Sequence, residues 1–179
     1  MAGLVVAYVR FSALLARLCL VVASAAIAFA VFALTASALE RLFIGISFAV
    51  LNDLPPQLMP WVVFPMMGVL LRRDKHVTVD FLPNLLTGRR RAALDLAVGL
   101  VVAVASVVFL AGGSEALGFF IMLNQVSETG LDFPLWWIYA AFPVGFAILL
   151  WFSVEKCALA LCELAGAETW ATLLKGGAR

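Results

Sequence analysis

Arg72, His76 and Asp80 follow one another at i, i+4 and i+8. On a helix that spacing stacks a guanidinium, an imidazole and a carboxylate along one face, where they can form a charge-linked ladder. Two uses fit it: a docking or helix-orienting element, or a solvated surface facing lipid headgroups. Arg41 stands apart from every other cation; it can pair with Glu40, with Asp53 or with a partner, or act as a snorkelling anchor. Beyond these groups, chemistry is scarce. A single histidine excludes a bis-histidine haem within the chain, and no His/Cys cluster has metal-ligand spacing. No Gly-rich loop is suited to a nucleotide's phosphates, and no serine sits in a nucleophile elbow. The carboxylates fall at the ends of apolar stretches, whereas proton pumps and ion-coupled carriers need ionisable groups at membrane depth. No enzymatic activity, cofactor or metal is expected.

The elements that must carry these residues follow from composition. Of 179 residues, 65% are hydrophobic and 13% charged, against roughly half and a quarter in soluble domains. Such a chain cannot hide its apolar surface in one small water-soluble core, so lipid must cover it. The expected fold is an all-α integral membrane protein, a single four-helix domain over residues 1–179 with spans near 18–39, 54–71, 94–115 and 134–155. Each span needs roughly 20 residues. The second is the shortest apolar stretch, and Pro55, Pro56, Pro60 and Pro65 crowd it, which predicts a kinked helix whose freed carbonyls need neighbours. Residues 42–57 before it read as a broken apolar connection ending in the turn Asn52-Asp53-Leu54-Pro55-Pro56.

Charge sets the orientation. With the N-terminus in the cytoplasm, eleven of the twelve Lys and Arg residues lie inside and only Arg41 lies outside. Both termini are then cytoplasmic. Residues 1–17 read as a surface-lying lead-in, and Leu18–Leu39 is too long for a signal-peptide core, so it is expected to be kept as a helix despite Ala36-Ser37-Ala38. Ala26, Ala30, Ala33 and Ser37 place small side chains on one face of the first span, either for close helix contact or from a general helical preference for alanine. Between spans two and three, Val77, Phe81, Leu82, Leu85 and Leu86 describe a short amphipathic helix in the cytoplasmic interface. Pro134 opens the fourth span, Trp136, Trp137 and Tyr139 sit at interface depth, Trp61 and Trp151 extend the aromatic belts, and Pro143 with Gly145 marks a bend. Three cysteines, all near cytoplasmic ends, read as small apolar fillers. The basic residues are topological anchors; membrane lipid is a partner and nucleic acid is not.

Two blocks together resemble a known family. The first runs from Trp61 to Arg72-Arg73-Asp74-Lys75-His76-Val77-Thr78-Val79-Asp80 and on to Arg89-Arg90-Arg91. The second is Ser127-x-x-Gly130 followed by Pro134-Leu135-Trp136-Trp137-Ile138-Tyr139-Ala140-Ala141-Phe142-Pro143-Val144-Gly145. Both are similar to the small membrane subunit of tripartite ATP-independent periplasmic (TRAP) transporters, and Arg41 fits that family's arginine after the first span. The likeness covers roughly residues 15–160. Asn52-Asp53 replaces the usual acidic pair, and Met66 stands where a glycine is expected. The resemblance implies a non-catalytic small permease subunit in a bacterial inner (cytoplasmic) membrane. Its partners would be a large multispan permease subunit, which carries the sodium and substrate sites, and a periplasmic solute-binding protein. The alternative is a structural accessory subunit of another inner-membrane complex built on the same scaffold. Candidate interface residues are Arg41, Asp53, Trp61, Arg72, His76, Asp80, Trp136, Trp137, Pro143 and Gly145.

Overall fold

Four helices account for nearly all described residues: α1 (Ala2–Phe43), α2 (Ala49–Arg72), α3 (Arg89–Leu123) and α4 (Leu135–Leu164). The computed structural model describes residues 2–43, 45, 48–73, 88–127 and 133–166. His76, Asp80 and the expected interfacial helix over residues 77–86 lie outside the described residues. Each of the four helices is long and apolar enough to cross a membrane. The connection from α3 to α4 is closed by Ser127 N–H to Phe133 O (2.8 Å) and Leu135 N–H to Gln125 O (2.9 Å). Asn124 caps α3 in the left-handed region, where a short polar side chain is tolerated.

Three expectations are corrected. Residues 2–17 are not a separate surface-lying lead-in. They continue α1 without a break, and Leu15 and Ala16 pack into the cluster formed with Val69 and Phe152. Residues 49–57 are helical as well, so Asn52-Asp53-Leu54-Pro55-Pro56 is no turn. A proline deletes one backbone donor, but irregular backbone in hydrocarbon would strand several groups, so the helix remains the better state. Pro55 is almost fully buried, which keeps its freed neighbourhood away from lipid. Helix α3 runs on through Glu115 to Leu123, and Pro134 is the residue before α4 rather than its first turn.

The helices pack in an open row, in the order α1, α2, α4, α3, and α1 and α3 form no comparable interface with each other. Burial follows that order. In the most apolar stretch of each helix, 17% of α1 and 11% of α3 is buried, against 33% of α2 and 39% of α4.

Two seams of small residues hold the row together. On α1 the buried residues are Val9, Ser12, Ala16, Cys19, Ala23, Ala30, Ala33 and Ser37, spaced by three, four or seven. The small face expected from Ala26 onward is therefore real, with Ala26 partly buried, and the buried stripe begins nearly five turns earlier, at Val9. On α3 the buried residues are Ala92, Gly99, Ser106 and Gly113, every seventh position. A strict seven-residue repeat keeps one stripe against a partner helix, as in a left-handed coiled coil. Here α4 fills that stripe: a Cβ on Gly99 would lie 2.7 Å from Cys157 Sγ, and one on Gly113 would lie 2.6 Å from Phe142 Cδ1. The Ser106 hydroxyl donates to Val102 O (2.7 Å), so its polarity is satisfied within α3.

The tightest crossing is α2 on α4 at Gly145. A Cβ there would stand 2.3 Å from Phe64 Cβ and 2.6 Å from the Phe64 carbonyl carbon. Backbone cannot move aside as a side-chain tip can, so the helices must separate. Gly145→Ala is therefore expected to lower stability by about 1–3 kcal/mol in detergent unfolding. Gly112→Ala, which meets open space, serves as the helical control and should be neutral or mildly favourable. Equal stability of the two variants would refute the close-contact account.

Candidate functional site

Three helices bring their polar side chains together at the end of the row that carries Arg72. Arg72 is the last residue of α2, a position where a cation also complements the helix dipole. Its Nε donates to Glu155 Oε1 on α4 at 3.2 Å, and the two side chains are only 6% and 2% exposed. The guanidinium lies over the Phe152 ring, 5.4 Å from its centroid. From α1, Ser12 reaches the same place. Trp151 Nε1 donates to Ser12 Oγ at 2.9 Å, and Ser12 sits beside both Tyr8 and Glu155. Glu155 Oε2 is buried without a partner of hydrogen-bond geometry. Tyr8 stacks on Trp151 at 5.0 Å, and Phe11 meets the same indole edge-on at 5.4 Å. The next residue after Glu155, Lys156, pairs with Asp95 at 3.5 Å and ties α4 to α3.

The local reasons are simple. Trp151, Phe152 and Glu155 occupy one turn of α4, so an aromatic pair and a carboxylate emerge together. Ser12 belongs to the small seam of α1, so its hydroxyl can approach without steric cost. Gly68 on α2 leaves room for Phe152, since a Cβ there would be 3.0 Å from the ring.

The arrangement joins groups instead of presenting them. Arg72 does not wait at the surface for a headgroup; its charge is matched inside the protein.

The opposite half of the row is aromatic. Trp61 Nε1 donates to Trp137 O at 3.1 Å, with the two indoles 4.9 Å apart. Phe64, Phe109, Phe142 and Phe146 form a connected ring cluster between α2, α3 and α4. Phe120 and Tyr139 stack at 3.9 Å.

The sequence-derived residues thus divide. Trp61 bonds to Trp137 and Gly145 packs on Phe64, both between α2 and α4, and Pro143 is buried facing Gly113 of α3. Trp136 is exposed beside Trp137. Arg41 and Asp53 belong to the far end, and no ion pair links Arg41 to Glu40 or Asp53. Arg72 is separate from all of these. Glu155, Ser12, Tyr8 and Trp151 were missed as a set. Glu155 precedes Lys156 at the end of an apolar run and reads as a solvated helix end, while Trp151 reads as a belt residue. The one available signal was Ser12, which shares the heptad position of Cys19, Ala26 and Ala33.

A buried pair is unforgiving of single changes. Glu155→Ala, which strands Arg72, should cost about 3–5 kcal/mol, and the paired replacement Arg72→Met with Glu155→Leu should recover most of it. Trp151→Phe removes the bond to Ser12 and trims the ring that Tyr8 and Phe11 pack on, and should cost about 1–3 kcal/mol. Unfolding measurements on wild type, Arg72→Met, Glu155→Leu and the double variant decide the matter: if the two single losses simply add in the double variant, the pair is not coupled.

Comparison with known proteins places this arrangement. Residues 30–163 match the family described as tripartite ATP-independent periplasmic transporters, DctQ component. No curated relative matches the chain. The match takes in Arg41, Trp61, Arg72, Trp136, Trp137 and Glu155, and it begins inside α1, after Tyr8 and Ser12. Covering well over half of the sequence, it makes the chain a member of the DctQ family: a multi-pass membrane protein, the small permease subunit of a TRAP-type transporter.

Proposed function

We propose that this subunit acts as a static, non-catalytic brace for a large permease subunit in a bacterial inner membrane, with both termini in the cytoplasm. The observation that carries this reading is where the polar groups go. Arg72, Glu155, Ser12 and Trp151 are consumed by one another, while the outward faces of α1 and α3 are almost wholly apolar, as at Val21, Phe32, Val101 and Val104. A permeation path needs polar groups facing water or substrate at membrane depth. An open row of helices whose polar side chains turn inward toward one another and whose outer faces are broadly apolar suits a partner's helices or lipid instead.

The remaining roles follow from the charge distribution. The end with Arg72 and Arg89-Arg90-Arg91 faces the cytoplasm under the positive-inside rule. There Arg72, His76 and Asp80 lead into an interfacial amphipathic helix over residues 77–86. The end with Arg41, Asp53, Trp136 and Trp137 faces the periplasm, next to where a solute-binding protein would dock.

Two measurements test this together. Affinity purification of the chain from native membranes should bring down a large multispan permease. Deleting its gene should abolish uptake of the solute that the binding protein recognises, with the large subunit still present. Uptake retained at wild-type rate without this chain would overturn the brace.

A further inference from the structure

At the end opposite Arg72, helices α1 and α2 enclose an open groove of about 420 Å³ lined by Leu34, Ser37, Ala38, Arg41, Leu42 and Asn52. Its chemistry is graded. Leu34, Ser37/Ala38 and Arg41 fall at i, i+3/i+4 and i+7 on α1, so the groove runs along the helix for two turns, about 10 Å. Along α1, Leu34 is the lining residue farthest from the helix end and Arg41 lies two turns nearer to it, while Asn52 comes from the first turn of α2. Arg41 and Asn52 are both exposed, and Arg41 makes no ion pair among the described residues. It is also the only Lys or Arg between residues 18 and 71, and none follows between 92 and 155. That makes it the sole cation in the sequence assigned to this end.

Depth identifies what faces it. Arg17 and Arg41 lie 24 residues apart on one continuous helix, about 36 Å at 1.5 Å per residue. Asn52 and Arg72 lie 20 residues apart on α2, about 30 Å. A bilayer's hydrocarbon core is about 30 Å thick, and about 40–45 Å with headgroups. Both rulers set Arg41 and Asn52 at the phosphate layer when Arg17 and Arg72 lie at the other interface. A cation at phosphate depth, above an apolar channel pointing into the core, matches one occupant in charge and in shape.

We infer that this groove is a phospholipid site, in which the phosphate bonds to Arg41 and Asn52 and one acyl chain runs past Ala38 to Leu34. It requires only that the helices span a membrane, and it is independent of whether the subunit braces a permease.

The test uses the full chain in native membranes, with whatever subunits accompany it. These are loaded with phosphatidylglycerol bearing a diazirine in one acyl chain, irradiated and mapped by peptide. Labelling should concentrate on residues 34–42. Arg41→Gln should cut it roughly tenfold, as expected for a lost charge-assisted pair to phosphate, and Arg41→Lys should retain most of it. Ala38→Trp, which fills the channel and keeps the charge, should cut it comparably. Labelling at exposed Val101 and Val104 of α3 should be the same in every variant, which reports an intact fold. A diacylglycerol probe without phosphate should label residues 34–42 no more than Val101, and excess inorganic phosphate should not compete. The inference is overturned if the Arg41→Gln chain labels like wild type, if diacylglycerol labels the groove equally, if free phosphate displaces the lipid, or if residues 34–42 stay unlabelled in the native membrane.

Discussion

Helices in hydrocarbon gain nothing from hiding apolar surface from one another, because lipid tails are as apolar as leucine. What holds this protein together is the distance to which its backbones can approach. Gly145 against Phe64, Gly99 against Cys157 and Gly113 against Phe142 are contacts that admit no extra carbon. Each brings many atom pairs to van der Waals separation, where individually weak attractions accumulate. The aromatic rings of α2, α3 and α4 then fill the space left where the helices diverge.

The Arg72–Glu155 pair depends on that packing and gives back a different property. By itself a buried ion pair is a doubtful source of stability, since desolvation offsets much of its attraction. Its geometry is nonetheless demanding. Nε to Oε1 contact, the ring of Phe152 beneath the guanidinium, and Ser12 receiving the indole of Trp151 all have to coincide. That coincidence sets the register of α1 and α2 on α4. The residues from α1 that take part, Tyr8 and Ser12, precede the stretch matched to the DctQ family.

Much of the architecture was legible from the amino acids, for identifiable reasons. Hydropathy and length expose four spans because hydrocarbon tolerates almost nothing else, and Ala30, Ala33 and Ser37 announce a close-packed face. Helix ends were less legible. Asn52-Asp53-Leu54-Pro55-Pro56 carries every local sign of a turn, yet it is helical because the surroundings penalise unpaired backbone more than proline penalises a helix. The polar network was illegible for another reason. Arg72 has a histidine four residues away and a carboxylate eight residues away, and a reading by local spacing pairs it with them. Its observed partner is 83 residues distant. Trp61 and Gly145 were recognised by type and place, but that they serve the same α2–α4 interface follows only from the fold.

The order of helices across the row differs from their order along the chain. Helix α4 lies between α2 and α3, although α2 and α3 are made one after the other. The ribosome therefore delivers both flanking pieces before the wedge that belongs between them. Until the fourth span is threaded, the guanidinium at the end of α2 lacks its carboxylate, and the small-residue stripe of α3 lacks its partner. Biogenesis must hold the first three spans loosely enough for the fourth to slide in, so the interior described here waits on the arrival of α4.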